Sequence, residues 1–518
     1  MRVILAEKPS VAQSIAAVLG ADQKKNGYLQ GENDIVSWCI GHLIELAPPE
    51  IYDARYAKWR REDLPIVPSA WESVVSDGTK TQFAVLKDLL NRTDVDEVVC
   101  ATDAGREGEL IFRMVYEKTG CTKPVKRLWI SSLEESAIRD GFRSLKPGTA
   151  YDALYRAALC RAQADWLVGI NGTRLYSRLY GTKLNVGRVM TPTLAMLVQR
   201  EQEIAAFRVE PFYTVQFSCG FLAQSGRMKT REEAERIRAA CHCQKAAVKH
   251  IERRQKKEKP PKLYDLTALQ RDANRIYGYT AQQTLDYAQT LYEKKLATYP
   301  RTDSRFLTHD LRDRLPALIE CVAQVLPFAS GLPLAVHTQQ VIRDEKVSDH
   351  HAIIPTQNMT REALAQLPIG ERSILTLLAV RLLAATGEPC ETDEVTVTLD
   401  CEGHDFTAKG STVRQMGYKV FEETFRGSLG SRERKEREYP IPPLEIGQMV
   451  GPVVATIREG QTTPPKRYTE DMLLAAMETA GAKDAPEDAE RKGLGTPATR
   501  AGTLEKLVDV GFVVRKGE

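Results

Sequence analysis

Residues 296–307 read LATYPRTDSRFL, which sets a phenol, a guanidinium, a threonine, an aspartate and a serine within Tyr299–Ser304. One reading is a polar surface turn after a helix. The other is a nucleophile beside its own charge stabiliser. A phenol of pKa about 10 attacks poorly unless a nearby positive charge favours the phenolate. Arg301, two residues on, can supply that charge and hold two phosphate oxygens in its planar fork. Pro300 fixes its own φ and pushes Tyr299 to an extended conformation, so the preceding helix is expected to stop there. A tyrosine that attacks a phosphodiester keeps the bond energy in a phosphotyrosine. Rejoining then needs no ATP, and the chain contains no GxxxxGK[ST] segment.

A second set of residues suits the same chemistry. Glu7 directly follows the apolar run VILA, and ATDAGREGE (101–109) directly follows EVVC. In an open parallel sheet, ligands bind beyond the carboxyl ends of the strands. Glu7, Asp103 and Glu107 are therefore expected to converge. Carboxylates so close repel unless a cation neutralises them, and hard oxygen ligands suit magnesium. Lys8 and Arg106 interleave with the acids and suit a phosphate bound to that metal. Taken singly, each acid also fits a solvated strand end or a helix N-terminus, where the dipole favours negative charge.

The elements that must position these residues alternate through the first 145 positions. VILA reads as a buried strand. Ser10-Val11-Ala12-Gln13 has the spacing of a capping box and opens a helix ending near Gly20. EVVCA is a strand, GELIFRMVYEKTG a helix ending at Gly120, KRLWI a strand, and about Leu133 to Phe142 a helix. This alternation predicts βαβ units and a largely parallel sheet. From Tyr151 to about Phe207 the pattern is helical, interrupted at GTKLNVGRVMTPT. FYTVQFSC (Phe212–Cys219) and EVTVTLDC (Glu394–Cys401) alternate with period two and read as antiparallel strands. They bracket a mostly helical stretch, Leu263 to about Thr386, so a helical domain is expected to interrupt a β-domain. YTEDMLLAAMETAG begins a last helical segment.

The 518 residues suggest three or four domains, and 42% hydrophobic with 27% charged residues excludes disordered and fibrous classes. No run of about 18 apolar residues predicts a membrane span, and the start, MRVILAEKPS, is too short for a secretory signal. The net charge of +3 does not by itself demand nucleic acid. The run IERRQKKEKPPK (251–262) reads as a solvated basic linker that gains weight only beside phosphate chemistry. SRERKERE (431–438) reads as a second charged linker. None of the ten cysteines forms a CxxC pair, so no zinc site is expected, and scattered thiols suggest a reducing, cytoplasmic setting.

YPRTDS resembles the active-site signature of type IA DNA topoisomerases, and the resemblance extends over nearly the whole chain. AEKPSVA is similar to the opening of their toprim domain, in its topoisomerase III version, and ATDAGREGELI to its second acidic motif. RAQADWLVGINGTRL (161–175) and VGRVMTPTLA (186–195) resemble helices that line the DNA groove. SDHHAIIPT (348–356) resembles the histidine motif of the catalytic helical domain, and GLGTPATRAGTLEKL (493–507) the last shared block. Six motifs in the family's order make the resemblance specific.

The resemblance implies a multidomain α/β, α and β fold: a toprim domain with a parallel sheet, helical domains and a β-arch, together forming a toroid. The implied boundaries are 1–150 for the toprim domain and 151–210 with 460–518 for the helical DNA-groove domain. The arch takes 211–260 with 390–459, and the helical domain that carries Tyr299 takes 261–389. The implied activity is ATP-independent cleavage of one DNA strand through a 5′-phosphotyrosyl link, strand passage and rejoining. Negative supercoils would be relaxed and linked DNA decatenated. Tyr299 would be the nucleophile, Arg301 would stabilise the pentacoordinate phosphorus, and Glu7 and Lys8 would manage proton and charge at the leaving 3′ oxygen. Glu7, Asp103 and Glu107 would hold Mg2+. His350 matches the motif histidine better than His351, and Arg106, Arg161, Arg188 and Arg500 would contact DNA. Single-stranded and negatively supercoiled DNA are the implied substrates of a monomer located with the bacterial nucleoid. A helicase and a single-strand DNA-binding protein are the implied protein partners.

Two departures accompany the resemblance. The family's DxDxE motif has glycine, Gly105, at its middle acid, as in some topoisomerases of this class. The chain also stops at GFVVRKGE, where family members continue with DNA-binding segments. A toprim nuclease or primase that ignores the tyrosine, and a DNA clamp with a degenerate site, are the competing readings.

Overall fold

The computed structural model describes residues 1–347, 350–430, 440–482 and 493–516. SRERKERE and the first two residues of SDHHAIIPT lie outside them.

The strand Arg2–Ala6 occupies the middle of a seven-stranded sheet. It pairs in parallel with Asp34–Trp38 on one side and Glu97–Ala101 on the other. Val125–Arg127 extends the parallel part, and short antiparallel strands close both edges. Strands covered on both faces read as unbroken apolar runs. Accordingly Val3 and Leu5 enter one core with Val98, Cys100 and Phe112, while Ile4 and Ala6 enter another with Val99, Ala101 and Ile15. The register sets Ala6 opposite both Trp38 and Ala101. Glu7, Cys39 and Thr102 therefore leave the sheet side by side, at its carboxyl edge.

Two local expectations need correction. The first helix runs Pro9–Leu19, with Lys8 as N-cap and no side-chain cap bond. Pro9 starts it instead, because proline's fixed φ suits a first helical position whose N–H would have no partner anyway. KRLWI contributes only Val125–Arg127 as strand. Gly20 and Gly120 do end their helices, in left-handed conformations that carry no steric cost for glycine.

The second sheet is antiparallel throughout and draws its strands from 211–258 and 390–461. Its longest pairing joins Ala246–Glu258 to Cys390–Cys401. The basic run expected to be a linker is thus largely strand. Two of its cations face acids: Lys256 pairs with Glu394 at 3.4 Å and Lys257 with Glu391 at 3.0 Å. Cross-strand pairs of opposite sign stabilise a ladder that the run's composition alone disfavours.

Between these strand sets lie the helices Leu266–Tyr277, Ala281–Glu293, Leu315–Val325 and Ile369–Ala385. They share one buried core with the late helices Glu470–Thr479 and Pro497–Asp509. Two further helices, Asp152–Tyr180 and Met190–Ala206, connect the first sheet to the second. Among the described residues, no helix is long and apolar enough to cross a membrane.

Candidate active site

The helix before Tyr299 stops at Glu293, not at the proline. Lys295 adopts a positive φ of 62°, which ends helical continuation. The chain then runs extended, with Ala297 bridged to Pro355. The Tyr299 N–H donates to the Ser131 carbonyl at 3.0 Å, which ties the helical region to the first sheet's far edge.

This crossing brings Tyr299 onto the acids. Its Oη donates to Asp103 Oδ2 at 3.3 Å. The Asp103 N–H donates to Glu7 Oε2 at 3.3 Å. All three residues are buried, at 6–8% exposure. Burial pushes Glu7 up to about 7, with the Asp103 carboxylate adding and Arg301 and Lys8 opposing. Burial also raises Asp103, against the pull of Arg301 and Lys8. Tyr299 is pushed well above the usual phenol range by burial and by Asp103, and Arg301 only partly offsets this. The arginine was expected to favour phenolate. In this closed arrangement burial wins, and the hydroxyl keeps its proton. Arg301 nevertheless has a buried Nε that makes no hydrogen bond. A buried guanidinium N–H without an acceptor is costly, and an incoming phosphate oxygen would supply one.

His350 stands with these groups. Its ring lies 4.3 Å from that of Tyr299 and stacks on Trp129 at 6.1 Å. Nε2 contacts the Ala104 carbonyl, and Nδ1 lies 2.8 Å from Ser131 Oγ. A carbonyl only accepts, so Nε2 carries the hydrogen and the serine hydroxyl donates to Nδ1. Burial lowers the His350 pKa to about 3, so the ring is neutral. The His351 ring lies against its neighbour's carbonyl, at Ala352, 2.7 Å from Nδ1.

The third acid does not join the first two. Glu107 turns to His42, 2.7 Å away, and this hydrogen bond lowers Glu107 while raising His42. Among the described residues no three His, Cys, Asp or Glu side chains converge as a ligand set. Glu7 and Asp103 still fit a hard divalent cation, because each buried acid resists ionisation and a bound positive charge would relieve both. Gly105 is extended there (φ 176°), and a Cβ on it would meet nothing within 4 Å. Gly108 differs: a Cβ would meet the Asp103 carbonyl at 2.1 Å, so only glycine lets the helix start this close to the acidic turn.

The cations divide. Lys8 Nζ pairs with Glu293 Oε1 at 3.2 Å, again across the crossing. Arg161 feels Arg106 and Glu107 and lies 3.8 Å from Asp165, which Arg188 approaches at 2.7 Å. Arg500 is a correction. It is 3% exposed, and its guanidinium donates to the Leu494 carbonyl and Thr267 Oγ1, each at 2.9 Å. It clamps the late helices to Leu266–Tyr277, so it is not presented to a strand of DNA.

Sequence reasoning missed His42, Arg127 and Tyr292. His42 follows the strand Asp34–Trp38, whose end had not been read as part of the site. Tyr292 is buried edge-on to Tyr299, at 5.4 Å.

The raised Glu7 makes a pH prediction. Folding lifts its pKa from 4.5 to about 7, so the folded chain holds this proton more tightly. The stability it contributes is complete below pH 4.5 and is lost as pH rises through 7, on the order of 3 kcal/mol in all. Thermal melts of metal-free protein should fall between pH 5 and 8. Glu7→Gln should flatten that fall, and an equal slope in the variant would refute the assignment.

Comparisons with known proteins agree over the full length. Residues 2–133 match the toprim domain model, and residues 149–518 match a model described as DNA topoisomerase. DNA topoisomerase 3 of Bacillus licheniformis is 41% identical over 541 aligned residues, spanning all of this chain and 73% of the relative. The Bacillus subtilis DNA topoisomerase 3 is 41% identical over 537, with the same coverage. Full-length topoisomerase I of Thermotoga maritima shares the fold, with a TM-score of 0.74 at 23% identity over 99% of this chain and 79% of that one.

Proposed function

The chain belongs to the type IA DNA topoisomerase family, and from that membership we infer that Tyr299 is the residue that joins DNA. It is a topoisomerase III-like, ATP-independent isomerase acting on DNA. One observation carries the residue assignment: the Tyr299 hydroxyl lies 3.3 Å from Asp103 Oδ2 although the two are 196 positions apart.

The chemistry balances with these groups. Tyr299 Oη bonds to phosphorus as its proton passes to the Asp103 carboxylate. The P–O3′ bond breaks, leaving a 5′-phosphotyrosyl link. The departing 3′ oxygen takes a proton from Glu7, whose pKa near 7 lets it hold one at neutral pH. Arg301 donates to the phosphoryl oxygens as their charge grows. Neutral His350 holds Tyr299 by ring contact and orients the turn at Ala104. Rejoining runs these transfers backwards.

The toprim domain is a metal-binding domain. We assign Mg2+ to Asp103, with Glu107 joining it once released from His42 and Glu7 completing the set only after it has given up its proton. When bound, the ion neutralises the carboxylate pair and the phosphate. Since Tyr299, Glu7 and Asp103 are buried together, the toprim and helical parts must separate to admit a strand, and the same separation opens a toroid for strand passage. Arg106, Arg161 and Arg188 would guide the single strand. The four segments bounded at 150, 210, 260, 389 and 459 would act as the moving bodies of a monomer. A helicase and a single-strand binding protein, both at the nucleoid, would supply its substrate.

Covalent trapping tests the reading. Labelled single-stranded oligonucleotide is incubated with protein and Mg2+, then denatured and digested. The expected product is a peptide carrying a 5′-phosphoryl DNA end on Tyr299. Cleaved ends free of protein would overturn the assignment.

A further inference from the structure

We propose that Trp129, backed by Ser131, is a positioning residue that sets the balance between cut and rejoined DNA by gripping His350 across the junction of the toprim and helical parts. The proposal rests on the reading of Tyr299 as the residue that joins DNA. Five rings form a row through that junction. On the toprim side, Trp129 follows the strand Val125–Arg127, and Tyr151 ends the short helical turn Gly148–Tyr151. Their rings stack at 4.9 Å with planes 17° apart. On the helical side, the Tyr299 ring lies 4.3 Å from His350 and 5.4 Å from Tyr292. The row crosses from one side to the other between Trp129 and His350, whose planes are 8° apart with centroids 6.1 Å apart. That is the offset parallel arrangement in which ring pairs attract.

Ser131 grips the same partners. Its carbonyl accepts the Tyr299 N–H at 3.0 Å, and its hydroxyl donates to His350 Nδ1 at 2.8 Å. One short segment of the toprim part thus holds both Tyr299 and His350. The segment is itself anchored, by the Arg127 guanidinium 5.0 Å over the Trp129 ring and by the Leu128 N–H on the Cys100 carbonyl at 2.9 Å. On the helical side, Thr302 Oγ1 donates to the His350 carbonyl at 2.8 Å. His350 therefore moves with the loop that carries Tyr299, and a hold on one is a hold on both.

These contacts differ in kind from those made to the acids. The bond from Tyr299 Oη to Asp103 is consumed when the hydroxyl gives up its proton. The Trp129 ring and Ser131 touch no reacting atom, so they persist while the phosphotyrosyl link exists. An uncut strand spans the junction and keeps it shut by its own covalent bonds, whereas a cut strand does not. After cleavage, only the protein's contacts hold Tyr299 beside the 3′ oxygen that must attack it. A contact made in the closed form alone shifts the balance toward that form by its own free energy. A stacked ring pair is worth about a twofold to tenfold shift of this kind. Trp129 thereby favours rejoining over separation of the cut ends.

The test uses single-stranded DNA circles with protein and Mg2+, stopped with denaturant at equilibrium. The ratio of linear DNA carrying protein to intact circles is read. Trp129→Ala and Trp129→Leu should raise this ratio about threefold to tenfold, while Trp129→Phe, which keeps a ring, should stay within about twofold of the parent. Ser131→Ala should raise it about threefold. Affinity for the intact strand in EDTA, followed by anisotropy, should be equal in all of them. The sign separates positioning from mere support, because damage to the site would lower the ratio. Thermal melts identify any variant that has lost its fold, and Trp129→Leu and Ser131→Ala then carry the comparison. A ratio equal to or below that of the parent in both of these overturns the proposal. The parent's adduct is mapped separately by digestion. An adduct on Tyr299 beside unchanged ratios rejects the grip of Trp129 alone, whereas an adduct on another residue overturns the reading of Tyr299 itself.

Discussion

Tyr299→Phe is expected to remove the covalent DNA adduct and to lower relaxation by a factor of about 10^4 or more, since the nucleophile has no substitute. The change deletes one oxygen. That oxygen makes one hydrogen bond, to Asp103 Oδ2 at 3.3 Å, so stability should move by only about 1 kcal/mol. The phenyl ring keeps its contacts with His350 and Tyr292. Tyr292 is the obvious rescuer, because its ring is 5.4 Å away and it feels both Asp103 and Glu7. It sits in the last turn of the helix Ala281–Glu293, however, and burial holds its phenol well above the usual range. The variant should therefore bind single-stranded oligonucleotide as the parent does and give no adduct at either position. Gel analysis after denaturation checks this. An adduct on Tyr292, or relaxation within tenfold of the parent, would mean that Tyr299 is not the nucleophile.

Much of this site was legible because chemistry and topology left marks in short segments. VILA followed by Glu7, and EVVC followed by Asp103, announce strand ends of a parallel sheet, and the register at Ala6 and Ala101 brings those ends together. YPRTDS announced Tyr299 and Arg301. What a motif does not carry is the surroundings of each side chain. Glu107 shares a motif with Asp103, yet one turn of helix places it toward His42 instead. Arg500 lies in the last shared block and was expected to contact DNA, yet it donates to the Leu494 carbonyl inside the protein. The basic run at 251–262 illustrates a further limit. Its charges argue for solvent, but the acids that settle it into a sheet lie at 391–394, more than a hundred residues on. Long-range pairing of that kind is invisible to local pattern.

The same blindness hid Arg127, whose replacement should have the largest effect on stability. Its side chain is wholly buried. Three of its contacts fasten the turn after Glu97–Ala101: Nη1 donates to the carbonyls of Cys100 and Thr102, and Nη2 to that of Asp103, at 2.8–3.0 Å. Nη1 also reaches the Leu128 carbonyl at 2.9 Å. Nε forms an ion pair with buried Glu109 at 3.1 Å, without a well-directed hydrogen bond. Trp129 covers the guanidinium at 5.0 Å and passes on to stack with His350. Arg127→Met fills similar space but removes the guanidinium from the carbonyls of Thr102, Asp103 and Leu128, leaves that of Cys100 only the Leu128 N–H, and leaves Glu109 to Arg113 alone. Breaking a buried pair from one side costs about 3–5 kcal/mol. The exposed pair Arg139–Glu135 at 2.7 Å supplies the contrast, because Arg139→Ala should cost well under 1 kcal/mol. Lysine at 127 should rescue only in part, since an ammonium offers three donors where the guanidinium serves four carbonyls and an acid. Adduct formation should fall in step with the loss of order at Asp103, even at temperatures where Arg127→Met remains folded. Urea melts followed by circular dichroism, with trapping assays in the cold, separate the two effects. A stability like that of Arg139→Ala would show that the turn holds Asp103 without the guanidinium.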